Sequence, residues 1–437
     1  MKCELVSYFI GVNRPDGIAD AFNGINQFSI KGIMDSVSLV TLGCRQNQYD
    51  TERIREDFES SGWKLVGREE NSDCIIVNTC SVTGCAERQT RNLLNRLKRT
   101  NPSARIIMTG CYARNNPHID AKIEVIPDRD AIDTEFGLKK SEHITRFSNH
   151  TRAFISIQNG CDKFCSYCIV PYLRGKPTSR PKKEIEKEIR ALAANDYRVF
   201  ILTGINIGRY DDNGIDLVSL MKSLLRIDGV ELLGISSIEP ETITSPLIDF
   251  ISEEDRFYRW LHISLQSGCN KILKLMGREY TTYNEREIIN RINGNIQDVC
   301  IGTDVICGFP GEGEKEFEET RDLLAELPLS YFHVFRFSPR RGTKAYNMKD
   351  KPQDRVVKER SKVLLRLSRE KFYEFRKRFI KRKMKVLVEN RKRDDWLVGV
   401  TNNYIKVLFK GPDSLMGRFT TVRIEKVEEE TCGVMVS

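Results

Sequence analysis

The sequence predicts an α/β protein in three parts. These are an N-terminal Rossmann-like parallel sheet, a central parallel (β/α) barrel, full or partial, and a small C-terminal β-barrel of the OB type. Three observations carry this. Apolar runs alternate with amphipathic helical stretches from residue 36 to residue 335. Those runs are close to continuously apolar, as strands buried on both faces of a parallel sheet are. After Pro339 the pattern changes to one long helix, then short strand-like runs with turn signals between them.

At 437 residues and 40% apolar content, the chain is long enough for about two to four domains. No apolar run approaches the ~18 residues that cross a membrane. Residues 1–11 combine a short apolar patch with Glu4 and lack a small-residue cleavage site, so no signal peptide is read there. A cytoplasmic setting with no membrane partner is expected. Thirteen cysteines, an odd number, then point to metal ligation rather than to a disulfide framework. Net charge is +9, from 70 Lys+Arg and 61 Asp+Glu, so charge placement matters more than its sum.

Residues 1–35 carry no clean periodicity and are set apart as an N-terminal extension. Residues 36–42 are the first apolar run. Residues 49–61 read as a helix with Ile54 and Phe58 four apart, stopped by Gly62. A second run covers 73–79, a helix with Leu93, Leu94 and Leu97 on one side covers 86–98, and a third run covers 105–109. Cys44, Cys80 and Cys111 each lie just past the carboxyl end of a predicted strand, the edge where open parallel sheets bind ligands. Cys74 and Cys85 do not share that position. Two readings stay open: thiolate ligands, or small buried hydrophobes, which free cysteine often is.

Residues 112–150 complete this domain and a connection. Strands are then predicted at 151–158, 198–203, 231–236, 261–265, 300–306 and 331–335. Helices at 182–194, 217–225, 245–251, 283–292 and 314–324 separate them, the pattern of a parallel barrel. The first strand runs into a loop where Cys161, Cys165 and Cys168 stand at C-x₃-C-x₂-C spacing. Thiolates at this density suit iron–sulfur clusters or zinc. A zinc site wants a fourth ligand, yet the next cysteine is Cys269 and the closest histidine is His150. Three ligands suggest a four-iron cluster with one iron left open to chemistry; the bland alternative is three structural cysteines. At the strand ends, Gly204 would let the backbone approach a ligand closely, although Gly, Ser and Asn there are also ordinary loop residues. Cys3, Cys269, Cys300, Cys307 and Cys432 are assigned no ligand role.

The cysteine loop resembles that of the radical S-adenosylmethionine (SAM) superfamily. Its flank, Ile169-Val170-Pro171-Tyr172-Leu173-Arg174-Gly175 with Ser179-Arg180, resembles the methylthiotransferases in particular. Thr41-Leu42-Gly43-Cys44-Arg45-Gln46-Asn47-Gln48-Tyr49-Asp50 is similar to their opening motif, and Asn78-Thr79-Cys80-Ser81-Val82 and Thr109-Gly110-Cys111-Tyr112 to the next two elements. The resemblance implies an open (β/α)6 barrel and a catalytic 4Fe-4S cluster on Cys161, Cys165 and Cys168. The open iron would chelate SAM, whose reductive cleavage makes a deoxyadenosyl radical. It implies a second 4Fe-4S cluster on Cys44, Cys80 and Cys111 for sulfur insertion. SAM contacts fall on Gly204, Asn206, Glu239, Gln266 and Asp304. Cys269-Asn270 departs from the Ser-Asp usual in relatives.

Residues 354–379 read as one long helix with a basic end: seven of the ten residues 376–385 are Lys or Arg. Strand-like runs follow at 384–389, 396–400, 404–409 and 419–427, the pattern of an OB-type RNA-binding module. It sits where the family carries its TRAM domain. Arg376, Lys377, Arg378, Lys381, Arg382 and Lys383 are the expected RNA contacts. Boundaries are placed at 36–147 for the first domain, 148–375 for the radical SAM core and 376–437 for the TRAM-like domain. Within the family, the opening motif is closest to the branch that methylthiolates carbon 2 of N6-threonylcarbamoyladenosine beside the anticodon of tRNA. That implies tRNA, a sulfur source and a low-potential electron donor such as a flavodoxin or ferredoxin as partners. Competing readings are isopentenyladenosine tRNA or a ribosomal protein as substrate, or a non-catalytic iron–sulfur RNA-binding protein.

Overall fold

Cys74–Thr79 is buried along its whole length, and the first unit is built around it. A computed structural model describes residues 36–67, 71–116, 122–148 and 150–436. The expected extension at 1–35 lies outside the described residues. The chain divides into two units that part between Ser141 and Glu142.

In the first unit, five parallel strands pair in the order Lys64–Leu65, Ser36–Thr41, Cys74–Thr79, Arg105–Gly110, Glu124–Val125. Alternate residues of Cys74–Thr79 point to opposite faces. Ile75 and Val77 pack with Leu93, Leu94 and Leu97 of helix Gly84–Thr100. Ile76 packs with Ile54 and Phe58 of helix Arg45–Ser60. The sheet is therefore covered on both sides, which is why its strands read as unbroken apolar runs. In chain order the strands lie 2-1-3-4-5, a doubly wound arrangement of the flavodoxin-like order, whose switch point falls between Ser36–Thr41 and Cys74–Thr79. The helix predicted from residue 49 begins at Arg45. Buried polar Gln46, Asn47 and Gln48 fill its first turn and hide the apolar period.

The second unit opens with six parallel strands. Ala153–Ser156, Val199–Thr203 and Leu232–Ile235 form one sheet, and Trp260–Gln266, Cys300–Cys307 and Tyr331–Arg336 another. Parallel bridges Leu233↔Phe257 and Ile238↔Ile263 join them. This is the open six-stranded wall expected. Helix Asn270–Met276 was not predicted; its seven residues are too few for a clear period. Helix Asp354–Lys377 covers the last strand, where Ser368 Oγ accepts from Phe332 N at 2.9 Å.

Five strands then close a barrel in the order Lys383–Arg393, Trp396–Thr401, Lys406–Phe409, Thr431–Met435, Phe419–Val427. Thr431–Met435 was not predicted, because Thr431, Cys432 and Gly433 give it little strand character, yet it supplies the closure. Tyr404 of this barrel stacks on Trp260 at 4.5 Å between ring centroids. Arg259 N donates to Asn402 O at 2.9 Å, and Arg152 pairs with Glu389 at 2.8 Å.

Candidate active site

The loop after Ala153–Ser156 is held from three directions. Gln158 Nε2 donates to Asn159 O at 3.0 Å and Gly160 O at 2.9 Å, while its Oε1 accepts from Ile205 N and Asn206 N at 3.0 and 2.7 Å. One side chain thus ties the start of the cysteine loop to the end of the next strand. Gly160 has φ 75°, and an added Cβ would collide with Lys176 O, so only glycine fits. Cys161 N donates to Gly175 O at 3.0 Å and Cys168 N to Cys165 O at 2.9 Å. Ser166 bonds Met276 O through its N–H and Leu275 O through Oγ, both at 2.8 Å. The third support is Ala345, whose N–H donates to Ser166 O at 2.7 Å.

Burial pushes the Cys168 thiol up to about 12, with Cys165 and Cys161 adding to the rise. Such thiols ionise when a metal holds them. One cation is already aimed at the set. Arg278 Nη1 donates to Cys165 Sγ at 3.3 Å, Nε donates to Tyr280 Oη at 2.9 Å, and Nη2 contacts Ser264 O at 3.2 Å and pairs with Glu239. Lys163 also pairs with Glu239, at 3.5 Å. Arg278 was missed by the sequence reading, since nothing in Gly277-Arg278-Glu279 marks it.

The expected SAM residues fall into distinct settings. Asn206 is buried, and neither its Oδ1 nor its Nδ2 has a hydrogen-bond partner; Ser236 Oγ at the neighbouring strand end is in the same condition. Orphaned buried groups beside the cysteine loop fit a polar ligand such as SAM. Gln266 adopts φ 76° at a register shift, a strained conformation for a non-glycine residue. At Gly204 the close approach is to the chain's own Gln158, whose O would lie 2.9 Å from an added Cβ; packing, rather than a ligand, accounts for this glycine. Asp304 lies mid-strand with its carboxylate against His262 and His333.

In the first unit the register aligns Thr41 with Asn78, Asn78 with Thr109, and Thr79 with Gly110. Cys44, Cys80 and Cys111 follow those three adjacent ends, on strands about 4.8 Å apart. Cys44 caps helix Arg45–Ser60 and Cys111 begins helix Cys111–Asn115. Gly43 has φ 119°, and a Cβ there would lie 2.7 Å from Cys80 Cβ. Asn47 Nδ2 binds Leu42 O at 2.9 Å and Thr79 O at 3.0 Å, cross-tying the first two strand ends. Cys74 starts its strand, at the opposite edge, and burial pushes its thiol up to about 12.

The basic segment is largely occupied. Arg376 is buried and gives its guanidinium to Glu428 O, Glu429 O and Thr431 Oγ1 at 2.9–3.2 Å. Arg382 forks onto Asp298 at 3.0 and 2.5 Å. These two hold the small barrel together and to the larger one, so the phosphate role expected of Arg376 does not hold. Lys381 pairs with Glu425 at 2.6 Å, Lys377 with Glu374 at 3.1 Å and Arg378 with Asp298 at 3.8 Å; Lys383 is exposed.

Residues 36–131 match the family described as Uncharacterized protein family UPF0004, residues 155–324 the Radical SAM superfamily, and residues 377–431 the TRAM domain. A protein of Aquifex aeolicus named threonylcarbamoyladenosine tRNA methylthiotransferase MtaB is 34% identical, over 86% of this chain and 97% of its own. The chain belongs to the tRNA methylthiotransferase family of radical SAM enzymes. A Bacillus subtilis methylthiotransferase of the same name is 33% identical over 90% of this chain and 94% of its own. A tRNA-2-methylthio-N(6)-dimethylallyladenosine synthase of Protochlamydia amoebophila is 32% identical over 94% of this chain and 98% of its own. Membership in this family implies SAM and a 4Fe-4S cluster, and the residues present fit both: three cysteines on one loop for the cluster, orphaned Asn206 and Ser236 for SAM. Among the described residues no helix is long and apolar enough to cross a membrane.

Proposed function

We propose that this methylthiotransferase adds a methylthio group to carbon 2 of N6-threonylcarbamoyladenosine next to the anticodon of tRNA. The observation that carries it is the presence of two three-cysteine sets, one in each unit, in a chain whose relatives of that name are 34% and 33% identical. Bound at the Cys161/Cys165/Cys168 loop, a four-iron cluster and SAM would supply the radical chemistry. The chain's residues then have separable tasks. Arg278 places a positive charge on Cys165 and, with Lys163, fixes Glu239. Asn206, Glu239 and Gln266 would receive SAM. Cys44, Cys80 and Cys111 would hold a second cluster at the switch point of the first sheet, serving sulfur insertion. Lys381 and Lys383 would meet tRNA phosphates, which position without choosing sequence. A flavodoxin- or ferredoxin-type donor and a sulfur source complete the partners.

The dimethylallyl reading is the second one, motivated by the 32% identical relative of that name. Mass spectrometry of tRNA nucleosides from cells with and without the gene decides between them. Loss of the methylthio form of threonylcarbamoyladenosine is expected; loss of the isopentenyl form alone sinks the substrate assignment.

A further inference from the structure

Three adjacent parallel strands bring a second set of functional side chains together away from the cysteine loop. The register aligns His262 with Gly302 and Gly302 with Tyr331, and Asp304 with His333. With a period of two, His262, Asp304, Tyr331 and His333 share one face. Cys307, on the other face, bonds Val357 O of helix Asp354–Lys377 at 3.6 Å, while Tyr331 reaches the same helix at Phe372, with ring centroids 5.7 Å apart. The shared face leads to the cysteine loop: Ile306, two residues beyond Asp304, packs in the cluster that includes Tyr167. Two residues of strand span about 7 Å.

The side chains form a continuous chain of hydrogen bonds. Trp260 Nε1 donates to Tyr331 Oη at 2.9 Å, because an indole N–H can only donate. Tyr331 Oη also lies 3.2 Å from His262 Nδ1. His262 Nε2 meets Asp304 Oδ1 at 2.9 Å. His333 Nδ1 meets the same oxygen at 3.2 Å. Burial would raise the Asp304 carboxyl, but the two imidazoles outweigh it and hold it well below the usual range. The chain ends in the open. The His262 side chain is 4% exposed and the His333 side chain 41%. With Nδ1 fixed on Asp304, His333 keeps Nε2 for something else, and Phe335 stands beside its ring at 6.5 Å. The two histidines and the carboxylate lie close enough to take a cation, within 4.8 Å of one another.

We propose that His333, oriented by Asp304, receives the polar N6 substituent of the target adenosine and selects it over an apolar alkenyl substituent. This rests on the substrate reading above. The chemistry that fits is a group with carbonyl, hydroxyl or carboxylate oxygens, as a threonylcarbamoyl group has. An alkenyl group would cover Nε2 and leave it without a partner. Sites built to hydrogen-bond a ligand discriminate strongly against analogues lacking the bond, and for a half-exposed imidazole a preference of about ten- to a hundred-fold is expected. Asp304 is then a positioning residue for His333.

The test measures binding of anticodon stem-loop RNAs to the SAM-loaded holoenzyme. The RNAs carry threonylcarbamoyladenosine, isopentenyladenosine or unmodified adenosine, and each variant is referred to its own affinity for the unmodified RNA. Wild type should favour the threonylcarbamoyl RNA. His333→Leu should lose that preference roughly ten- to a hundred-fold, and His333→Gln, which still hydrogen-bonds, should recover part of it. If His333→Leu does not fold, Asp304→Asn must relax the preference in its place. A preference unchanged in the folded variants overturns the inference and leaves the substrate reading standing. A wild type that favours the isopentenyl RNA overturns both. Stoichiometric divalent-metal binding lost in His262→Gln also overturns the inference, because the trio would then be a metal site.

Discussion

Arg278 Nη1 lies 3.3 Å from Cys165 Sγ, although the two residues are 113 apart in the chain. The guanidinium side chain is only 2% exposed, so its charge is little screened. Hydrogen bonds to ligand sulfurs are among the factors that set cluster potentials. Arg278→Gln should keep iron content and lower the reduction potential of the Cys161/Cys165/Cys168 cluster, because the reduced state carries the extra negative charge. Loss of one such bond, ~1.4 kcal/mol between redox states, corresponds to about 60 mV for one electron. Potentiometric titration followed by electron paramagnetic resonance reads it directly; a potential unmoved in the folded variant removes Arg278 from this role.

Iron content tests the two cysteine sets. Anaerobically reconstituted protein should hold about eight irons, as two four-iron clusters. Replacing Cys161, Cys165 and Cys168 by Ala should leave about four, as should replacing Cys44, Cys80 and Cys111. Full iron and sulfide in either triple variant would show that its cysteines are not the ligands.

The sets should also separate functionally. Cys44 is exposed at the helix N-cap and makes no part of the loop held by Gln158. Cys44→Ala should therefore still cleave SAM reductively and yield no methylthiolated RNA. Chromatography of 5′-deoxyadenosine beside nucleoside mass spectrometry gives both readouts. Absent SAM cleavage in a folded protein with an intact catalytic cluster would falsify the division.

Asp298 joins the small barrel to the large one. Its carboxyl is lowered by the Arg382 hydrogen bond first, and further by the charges of Arg382 and Arg378. A lowered folded-state value means the stabilisation is present above the unfolded value near ~3.9 and is lost as pH falls through the lower folded value. With Arg382 44% exposed, screening limits it to about 1 kcal/mol. Asp298→Asn should lower the unfolding temperature at neutral pH, and the gap to wild type should close in acid. Calorimetry at several pH values checks it; a gap constant with pH rules the ion pair out as its source.

The same region limits which charges are left for RNA. Lys381→Gln with Lys383→Gln should flatten the salt dependence of tRNA binding, by roughly 0.7–0.9 log units per decade of salt for each phosphate no longer neutralised. An unchanged slope would mean that tRNA is held elsewhere.

Local chemistry made part of this protein legible from its residues alone. C-x₃-C-x₂-C lies on one loop, so the expectation that its three cysteines serve one cluster follows from spacing within eight residues. The alternation of apolar runs and amphipathic helices gave the parallel sheets, because strands covered on both faces have no polar side to show. The order of the first sheet was beyond reach, and it is that order, 2-1-3-4-5, that sets Cys44 and Cys80 astride a switch point. Arg376 and Arg382 looked like free charge in the sequence; Thr431 and Asp298, 55 and 84 residues away, gave them partners. His262, Asp304 and His333 carry no common motif. They form one unit only because parallel pairing fixes three strands in register, and a shift of one residue in any of them would turn its side chain to the opposite face.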